Sequence, residues 1–326
     1  MLSPIPLVTG TSRDLLAAHL PAARALVAEA RRMYSAPGVR AADVVSRGWL
    51  RRVGNPYLGE LDAMAALLGE PGLHLLNVSY EWGCTTGTAD GLLLRTLDWP
   101  FTGLGRHVAV LDTGGPAGRY LSVTWPGFAG VLTALAPGRF AAAINQAKAF
   151  HGRLSQLLAW PLDRARFLAS RALPPAHLLR RVCDTARDYD EAVRMLRDTP
   201  LALPAFFTVA APDGRGCVIE REPGRAFVHA GTLACANHWR YPGLQGTRPR
   251  LACRIDAAAR YTKGSHARHA AMLAMLGRAD GFAWLRPPIL CPDTRVACVM
   301  DVTRGRLAVV GVEGMAPSTE MLDVSA

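Results

Sequence analysis

The chain has 326 residues, half of them hydrophobic and 19% charged, which is enough to bury a large core and excludes a disordered polymer. Its net charge of +11 is almost all arginine, because Lys148 and Lys263 are the only lysines, and the arginines are scattered from Arg13 to Arg306. Scattered charge lacks the dense basic stripe that nucleic acid requires, so no nucleic-acid partner is expected.

The first residues, MLSPIPLVTGTSRDLL, lack a basic segment followed by an unbroken apolar run, and no stretch reaches the length of a membrane span. A soluble cytoplasmic protein with no integral membrane segment is expected. Leu15, Leu16, Leu20, Ala23, Leu26 and Val27 recur at helical spacing, with Thr11 or Ser12 placed as N-cap. Asn55-Pro56 breaks the chain, and Leu58 to Leu68 forms a second apolar-faced helix that stops at Gly69 to Gly72. A third helix runs from His74 to about Tyr80 and leads into Glu81-Trp82-Gly83-Cys84.

From Cys84 the pattern turns to strands. Cys84 to Thr88 and Leu92 to Thr96 flank Ala89-Asp90-Gly91, a strong tight-turn signal. Further strands are expected at His107 to Leu111, Tyr120 to Trp125, Gly130 to Leu135 and Phe140 to Ile144. Helical spacing returns from Leu157 to about Leu196, punctuated by Pro174-Pro175. Strands resume at Phe206 to Ala211, Gly216 to Arg221 and Ala226 to His229, before a helix at Ser265 to Leu276. A hairpin of Val296 to Val302 and Leu307 to Val312 closes the pattern. Segregated blocks of helices and strands predict a layered α+β fold and not a repeating βαβ wind.

Seven cysteines include no CxxC pair and no Cys/His ligand spacing, so neither a disulfide framework nor a metal site is expected, and no cofactor is implied. Cys84 stands apart because it opens a strand behind a flexible glycine. The return strand brings Arg95 and Asp98 near it: a guanidinium favours the thiolate, and a carboxylate can hold an amine. An ordinary Arg/Asp surface pair accounts for these two residues equally well. Regular alternation points Arg95 and Asp98 to opposite faces, so both can reach Cys84 only where the strand ends or bulges near Leu97. His238, beside Asn237, is the candidate base for a Cys/His pair of the papain type. Backbone cleavage before Cys84 supplies a simpler base, an α-amine with a reference pKa of about 8 on the nucleophile's own residue.

The stretch Asn77-Val78-Ser79-Tyr80-Glu81-Trp82-Gly83-Cys84-Thr85-Thr86, with Arg95-Thr96-Leu97-Asp98-Trp99, resembles the processing site of the acid ceramidase and N-acylethanolamine acid amidase family. More distantly it resembles penicillin N-acyltransferases and choloylglycine hydrolases. Gly127 to Phe140, Asn145-Gln146, Tyr189 to Ala192, Pro204 to Phe207, Val218 to Arg221, and Asn237 with Arg248 and Arg250 follow the family's order over roughly residues 56–260. The resemblance implies a four-layer αββα sandwich of the N-terminal-nucleophile (Ntn) hydrolases. It further implies cleavage between Gly83 and Cys84 into an α fragment, 1–83, and a β fragment, 84–326, which stay together as a heterodimer in one structural domain. Cys84 is then the nucleophile, Arg95 biases it towards thiolate, Asp98 orients its amine and Asn237 holds the oxyanion with backbone N–H groups. Asn145, Gln146, Arg248 and Arg250 serve the substrate or the oxyanion.

Three departures stand out: Thr96 replaces the usual Asn of Arg-Asn-x-Asp, the interval from Cys84 to Arg95 is short, and Gln146 takes the place of a Glu. The expected reaction is hydrolysis of a linear N-acyl amide, with an acyltransferase as the alternative and a non-catalytic binding protein as a third reading. Trp82, Trp99, Phe101, Phe128 and Trp239 are expected to supply an apolar pocket or to be core.

Overall fold

The computed structural model describes residues 2–79, 82–147, 165, 167–240, 255–277 and 281–325, with the backbone alone over 255–263. Five helices open the chain: α1 (Ser12–Ala18), α2 (Leu20–Tyr34), α3 (Ala36–Arg52), α4 (Leu58–Leu68) and α5 (Leu73–Val78). Thr11 caps α1, its hydroxyl accepting from the Asp14 N–H while the Asp14 carboxylate accepts from the Thr11 N–H. α4 ends at Gly69, whose φ of 75° is the left-handed turn that glycine takes without strain. The single helix expected from Leu15 to Val27 is two, divided at His19. The helix α3 was hidden in the sequence because Ala36-Pro37-Gly38 reads as a turn, yet Pro37 sits in the first turn, where its missing N–H costs nothing.

The strands are β1 (Leu7–Thr9), β2 (Gly83–Ala89), β3 (Leu92–Asp98), β4 (Ala109–Gly115), β5 (Gly118–Thr124), β6 (Thr133–Ala136) and β7 (Phe140–Gln146). After helices α6 (Pro175–Thr185) and α7 (Tyr189–Asp198) come β8 (Ala205–Ala210), β9 (Gly216–Glu222), β10 (Arg225–Ala230) and β11 (Leu233–Cys235). Helix α8 (Ile255–Met275) precedes β12 (Thr294–Asp301), β13 (Arg306–Glu313), β14 (Ala316–Pro317) and β15 (Leu322–Ser325). The β2–β3 turn has positive φ at both Asp90, 50°, and Gly91, 79°, which matches the right-handed twist of the strands it joins.

The strands form two sheets, β1-β4-β5-β6-β7-β8-β9-β10 and β11-β2-β3-β12-β13-β14, with β15 paired to β13. The main core spans both faces of the larger sheet: Leu93 and Leu97 of β3 meet its inner face, while Ile144, Phe207 and Ile219 share its outer face with Leu179 and Val182 of α6 and Leu196 of α7. Helices α6 and α7 cover the outer face of the larger sheet and α8 covers β2 and β11 of the smaller one. The architecture is therefore the expected αββα sandwich. Two glycines set its spacing. A Cβ on Gly87 would lie 2.8 Å from both Met272 and Leu276, so its absence lets α8 settle on β2. A Cβ on Gly216 would lie 2.6 Å from the Thr88 hydroxyl, so β9 approaches β2 closely.

The amino-terminal helices are bound into this frame. β1 pairs in parallel with β4, and Leu26, Ala30 and Val39 join the main core. Asn77, at the end of α5, donates to the Gly127 carbonyl at 2.8 Å and accepts from the Ala129 N–H at 2.7 Å. His74 is buried and contacts Asp62 at 2.9 Å and Asp43 at 3.5 Å. The chain thus approaches Gly83-Cys84 from a fixed point. Among the described residues no helix is long and apolar enough to cross a membrane.

Candidate active site

In the antiparallel β2–β3 ladder Cys84 lies opposite Leu97, Thr86 opposite Arg95 and Gly83 opposite Asp98, without interruption from Leu92 to Asp98. Alternation therefore gives Cys84, Thr86 and Arg95 one face and Thr85 and Asp98 the other. The first face meets the larger sheet: the Thr86 and Thr208 hydroxyls are 2.6 Å apart, and Arg95 Nη1 donates to the Ile144 carbonyl at 2.7 Å. Arg95 Nη2 lies 3.4 Å from Cys84 Sγ. The second face meets α8, where Arg268 Nε donates to Thr85 Oγ1 at 3.0 Å and stands 3.8 Å from Asp98 Oδ2. The strand neither ends nor bulges at Leu97. Of these two, Arg95 is the one that touches the thiol, and Asp98 stands behind the strand, across from the Gly83-Cys84 junction.

Asn237 joins the two faces. Its Oδ1 accepts from the Cys84 backbone N–H at 3.1 Å and from Arg268 Nη2 at 2.8 Å, while its Nδ2 donates to the Gln146 carbonyl at 2.9 Å. Two donors on the oxygen and one acceptor on the nitrogen fix the orientation of the amide. The Asn237 N–H donates to Ser265 Oγ at 2.8 Å, and the same hydroxyl is 2.8 Å from His238 Nδ1. Asn145 Nδ2 donates to the carbonyls of Cys235 at 3.0 Å and Ala236 at 3.1 Å, which ties β7 to the loop presenting Asn237. The backbone N–H of Gln146 points to the Cys84 sulfur. Cys84, Arg95, Asp98, Asn145, Gln146 and Asn237 therefore converge on one place, whereas Arg248 and Arg250 lie outside the described residues. His238 is engaged by Ser265 and stacks on His266 with ring centres 3.8 Å apart.

Arg268 escaped the sequence reading, and so did Ser265 and Thr294. Arg268 is 3% exposed and shares the buried stripe Ser265, Arg268, Met272 of α8. An arginine at i+3 on the inward face of a helix is the signal that marks it, since buried arginine requires a partner. Thr294 Oγ1 donates to Asp98 Oδ1 at 2.8 Å.

Burial sets the charge states. It pushes the Cys84 thiol up to about 11, against the pull of Arg95, while Asp98 pushes in the same direction as burial. The Gln146 N–H and Arg268 favour the thiolate more weakly. Burial also raises the Asp98 carboxyl, against Arg268, the Thr294 hydroxyl and Arg95. Arg95→Ala removes the largest opposing influence, so the thiol of Cys84 rises further. Below its pKa the thiolate fraction falls tenfold for each unit of rise, so alkylation near neutral pH should slow by about tenfold or more. The measurement is iodoacetamide labelling of Cys84 against pH in wild type, Arg95→Ala and Arg95→Lys. Coincident curves for wild type and Arg95→Ala would remove Arg95 from thiolate stabilisation.

An apolar cleft lies nearby, lined by Leu26, Leu76, Trp99, Phe101, Trp125 and Phe128 among others. Trp82 packs on Trp99 with ring centres 5.5 Å apart, so it stands beside the cleft two residues before Cys84. Trp239 is placed elsewhere, edge-on to Phe206 at 4.7 Å in a separate small core. Among the described residues no three His, Cys, Asp or Glu side chains form a metal-binding group.

Residues 165–279 match the family model described as acyl-coenzyme A:6-aminopenicillanic acid acyl-transferase. The chain is 32% identical to the acid ceramidase of Heterocephalus glaber over 104 residues, which is 32% of this chain and 25% of that protein. It is 29% identical to the acid ceramidase of Homo sapiens over 100 residues, 30% of this chain and 24% of the other. The matched stretches thus span about a quarter of the length of these relatives. Among solved structures, the Caenorhabditis elegans N-acylethanolamine-hydrolyzing acid amidase ortholog aligns at 19% identity over 68% of this chain and 93% of that one, with a TM-score of 0.49. Penicillin V acylase from Agrobacterium tumefaciens aligns at 16% identity over 74% of this chain and 86% of the other, with a TM-score of 0.41. The resemblance carried by the Cys84 and Arg95–Asp98 motifs agrees with the family-model match and with the similarity to acid ceramidases.

Proposed function

We propose that this protein is an amidohydrolase that cleaves its own chain between Gly83 and Cys84 and then uses Cys84 as an N-terminal nucleophile on a linear N-acyl amide. The observation that carries the reading is the double hold on one residue: Arg95 on the sulfur of Cys84 at 3.4 Å and Asn237 on its nitrogen at 3.1 Å. A structural cysteine needs neither. In the reaction the freed α-amine takes the Sγ proton and Sγ bonds to the amide carbon. The oxyanion is held by the Asn237 amide and backbone N–H groups as the Cys84 ammonium returns the proton to the departing amine. Water then attacks the thioester, the α-amine takes the water proton, and the free acid leaves as the thiol is restored. The scheme balances with water as the only co-reactant.

The apolar cleft beside Trp99 suits the acyl chain. Cys84 is fully buried in the intact chain, and Trp82, packed on Trp99 of the cleft, is on the segment that becomes a free carboxyl terminus once Gly83-Cys84 is cut. The α fragment stays bound through β1, Asn77 and the shared core. The six described cysteines are free thiols, which suits the proposed cytoplasmic setting. A second reading, acyl transfer to an amine, is favoured by the acyl-transferase model that residues 165–279 match. Both readings share the thioester. Cleaved protein mixed with an N-acyl 4-nitroanilide of a medium-chain acid should gain the acyl mass on the fragment 84–326, labile to hydroxylamine. Adding glycine amide as acceptor separates the readings, since a hydrolase still yields mainly free acid. Turnover without acylation of Cys84 would sink both.

A further inference from the structure

We propose that the irregularity in β12 is a device that seats the Thr294 hydroxyl, in place of the Arg295 guanidinium, against Asp98, making Thr294 a positioning residue for proton transfer at Cys84. The proposal rests on reading Cys84 as the N-terminal nucleophile.

The register carries it. β12 pairs with β3 through Ala297 opposite Thr96 and Val296 opposite Leu97, so an unbroken ladder would place Arg295 opposite Asp98. The register shifts between Thr294 and Val296, and Thr294 takes that place. One extra residue in a strand re-aims the side chains around it, and such bulges recur beside active sites. Arg295 is turned away, its Nε donating to the Phe101 carbonyl at 2.9 Å and its Nη1 to the Pro292 carbonyl at 3.1 Å, with Glu313 at 3.4 Å. Thr294 and Asp98 are both fully buried. The Thr294 hydroxyl accepts from the Cys291 N–H at 3.0 Å, so its own hydrogen is left for Asp98 Oδ1 at 2.8 Å. Among the described residues the competing acceptor is Cys291 Sγ at 3.5 Å, a weak one. One carboxylate oxygen is thereby pinned, while among the described residues Oδ2 makes no hydrogen bond and stands 3.8 Å from Arg268.

The choice of partner matters because it sets what Asp98 can do. An arginine directly opposite typically lowers a carboxyl by one to three units and would lock it ionised. A neutral hydroxyl favours the carboxylate less, so Asp98 keeps its raised value and can share a proton with the Cys84 amine as that amine cycles. The charged and titratable groups that face Asp98 are Arg95 on β3, Arg268 on α8, Asp293 ahead of β12, and the thiols of Cys84 and Cys291. Among the described residues Thr294 is the neutral side chain that donates a hydrogen bond to Asp98.

The test compares Thr294→Val and Thr294→Ser in protein shown by mass to be cleaved at Gly83-Cys84, with a chromogenic N-acyl amide. Removing the hydroxyl takes a donor from the carboxylate, so Asp98 rises. The acid limb of kcat/KM should move up by about one pH unit and kcat should fall about tenfold, on the scale seen when a supporting hydrogen bond is lost. Thr294→Ser should restore both. Superimposable pH profiles for wild type and Thr294→Val, or a Thr294→Ser as impaired as Thr294→Val, overturn the proposal. If Thr294→Val does not fold, Thr294→Ala gives the same comparison. Uncleaved wild type that nonetheless turns over the amide would instead strike at the nucleophile assignment.

Discussion

Cys84→Ala is expected to remain one intact chain under denaturing conditions, while wild type separates into fragments 1–83 and 84–326 with Cys84 as a free amino terminus. The intact fold supplies the reason. β2 holds Gly83 and Cys84 in a paired strand, Asn77 and His74 fix the helix before them, and Asn237 accepts from the N–H of the bond to be broken. Attack of Sγ on the Gly83 carbonyl gives a thioester as the peptide nitrogen takes a proton, and water then releases the Gly83 carboxylate and the thiol. Alanine has no atom to attack with, so cleavage and amide hydrolysis should both vanish. The α-amine does not yet exist in the precursor, so nothing on Cys84 itself removes the thiol proton. With the thiol near 11 in the intact chain, only about one molecule in 10⁴ is thiolate at pH 7. Self-cleavage should therefore accelerate about tenfold per unit from pH 7 to 9, the thiolate fraction rising until the pH reaches the pKa. Intact mass against time at several pH values measures both. Full-length wild type with full activity would end the N-terminal-nucleophile reading and return His238 as the candidate base.

The sequence made the strand order around the nucleophile legible because two short signals coincide there. Asp90-Gly91 is a turn that only positive φ satisfies, and it fixes the register that sets Arg95 near Cys84 and Asp98 across from Gly83. Helix α4 was equally legible, bounded by Asn55-Pro56 and Gly69. What could not be read lies in long-range placement. Arg268 is 184 residues from Cys84 in sequence, and nothing local says that the inward stripe of α8 lands on β2 and not on solvent. The bulge at Thr294 was invisible for a related reason. Thr294-Arg295-Val296 alternates acceptably in either register, and only the partner strand decides between them. Asn145 lies in the cluster around Cys84, where its amide serves the backbone of Cys235 and Ala236, a contact that depends on two sheets meeting. Alternation along β3 holds to Asp98, so Arg95 and Asp98 lie on opposite faces with different neighbours.

The two faces meet at Asn237, and Asn237→Ala should lower kcat by roughly 10²–10³, with a smaller change in KM, as for contacts made mainly in the transition state. The structure gives the amide two contacts that Asn237→Ala removes together. Its Oδ1 orients the Cys84 nitrogen and takes Arg268, which otherwise would face a buried site without its strongest acceptor. Its Nδ2 donates to the Gln146 carbonyl at 2.9 Å in the intact chain, so it can serve a tetrahedral oxyanion only by sharing or leaving that bond. Asn237→Asp separates them, because it keeps an acceptor for the amine and Arg268 but loses the donor. If orientation of the amine dominates, Asn237→Asp in cleaved protein should retain kcat within about tenfold of wild type. If the oxyanion dominates, it should fall as far as Asn237→Ala, because a carboxylate facing an oxyanion is worse than an empty space. Self-cleavage passes through a similar oxyanion, so the maturation rate of the two variants should rank in the same order. An unchanged kcat in Asn237→Ala would take Asn237 out of the reaction, leaving it as the strut that joins β2, β7 and α8.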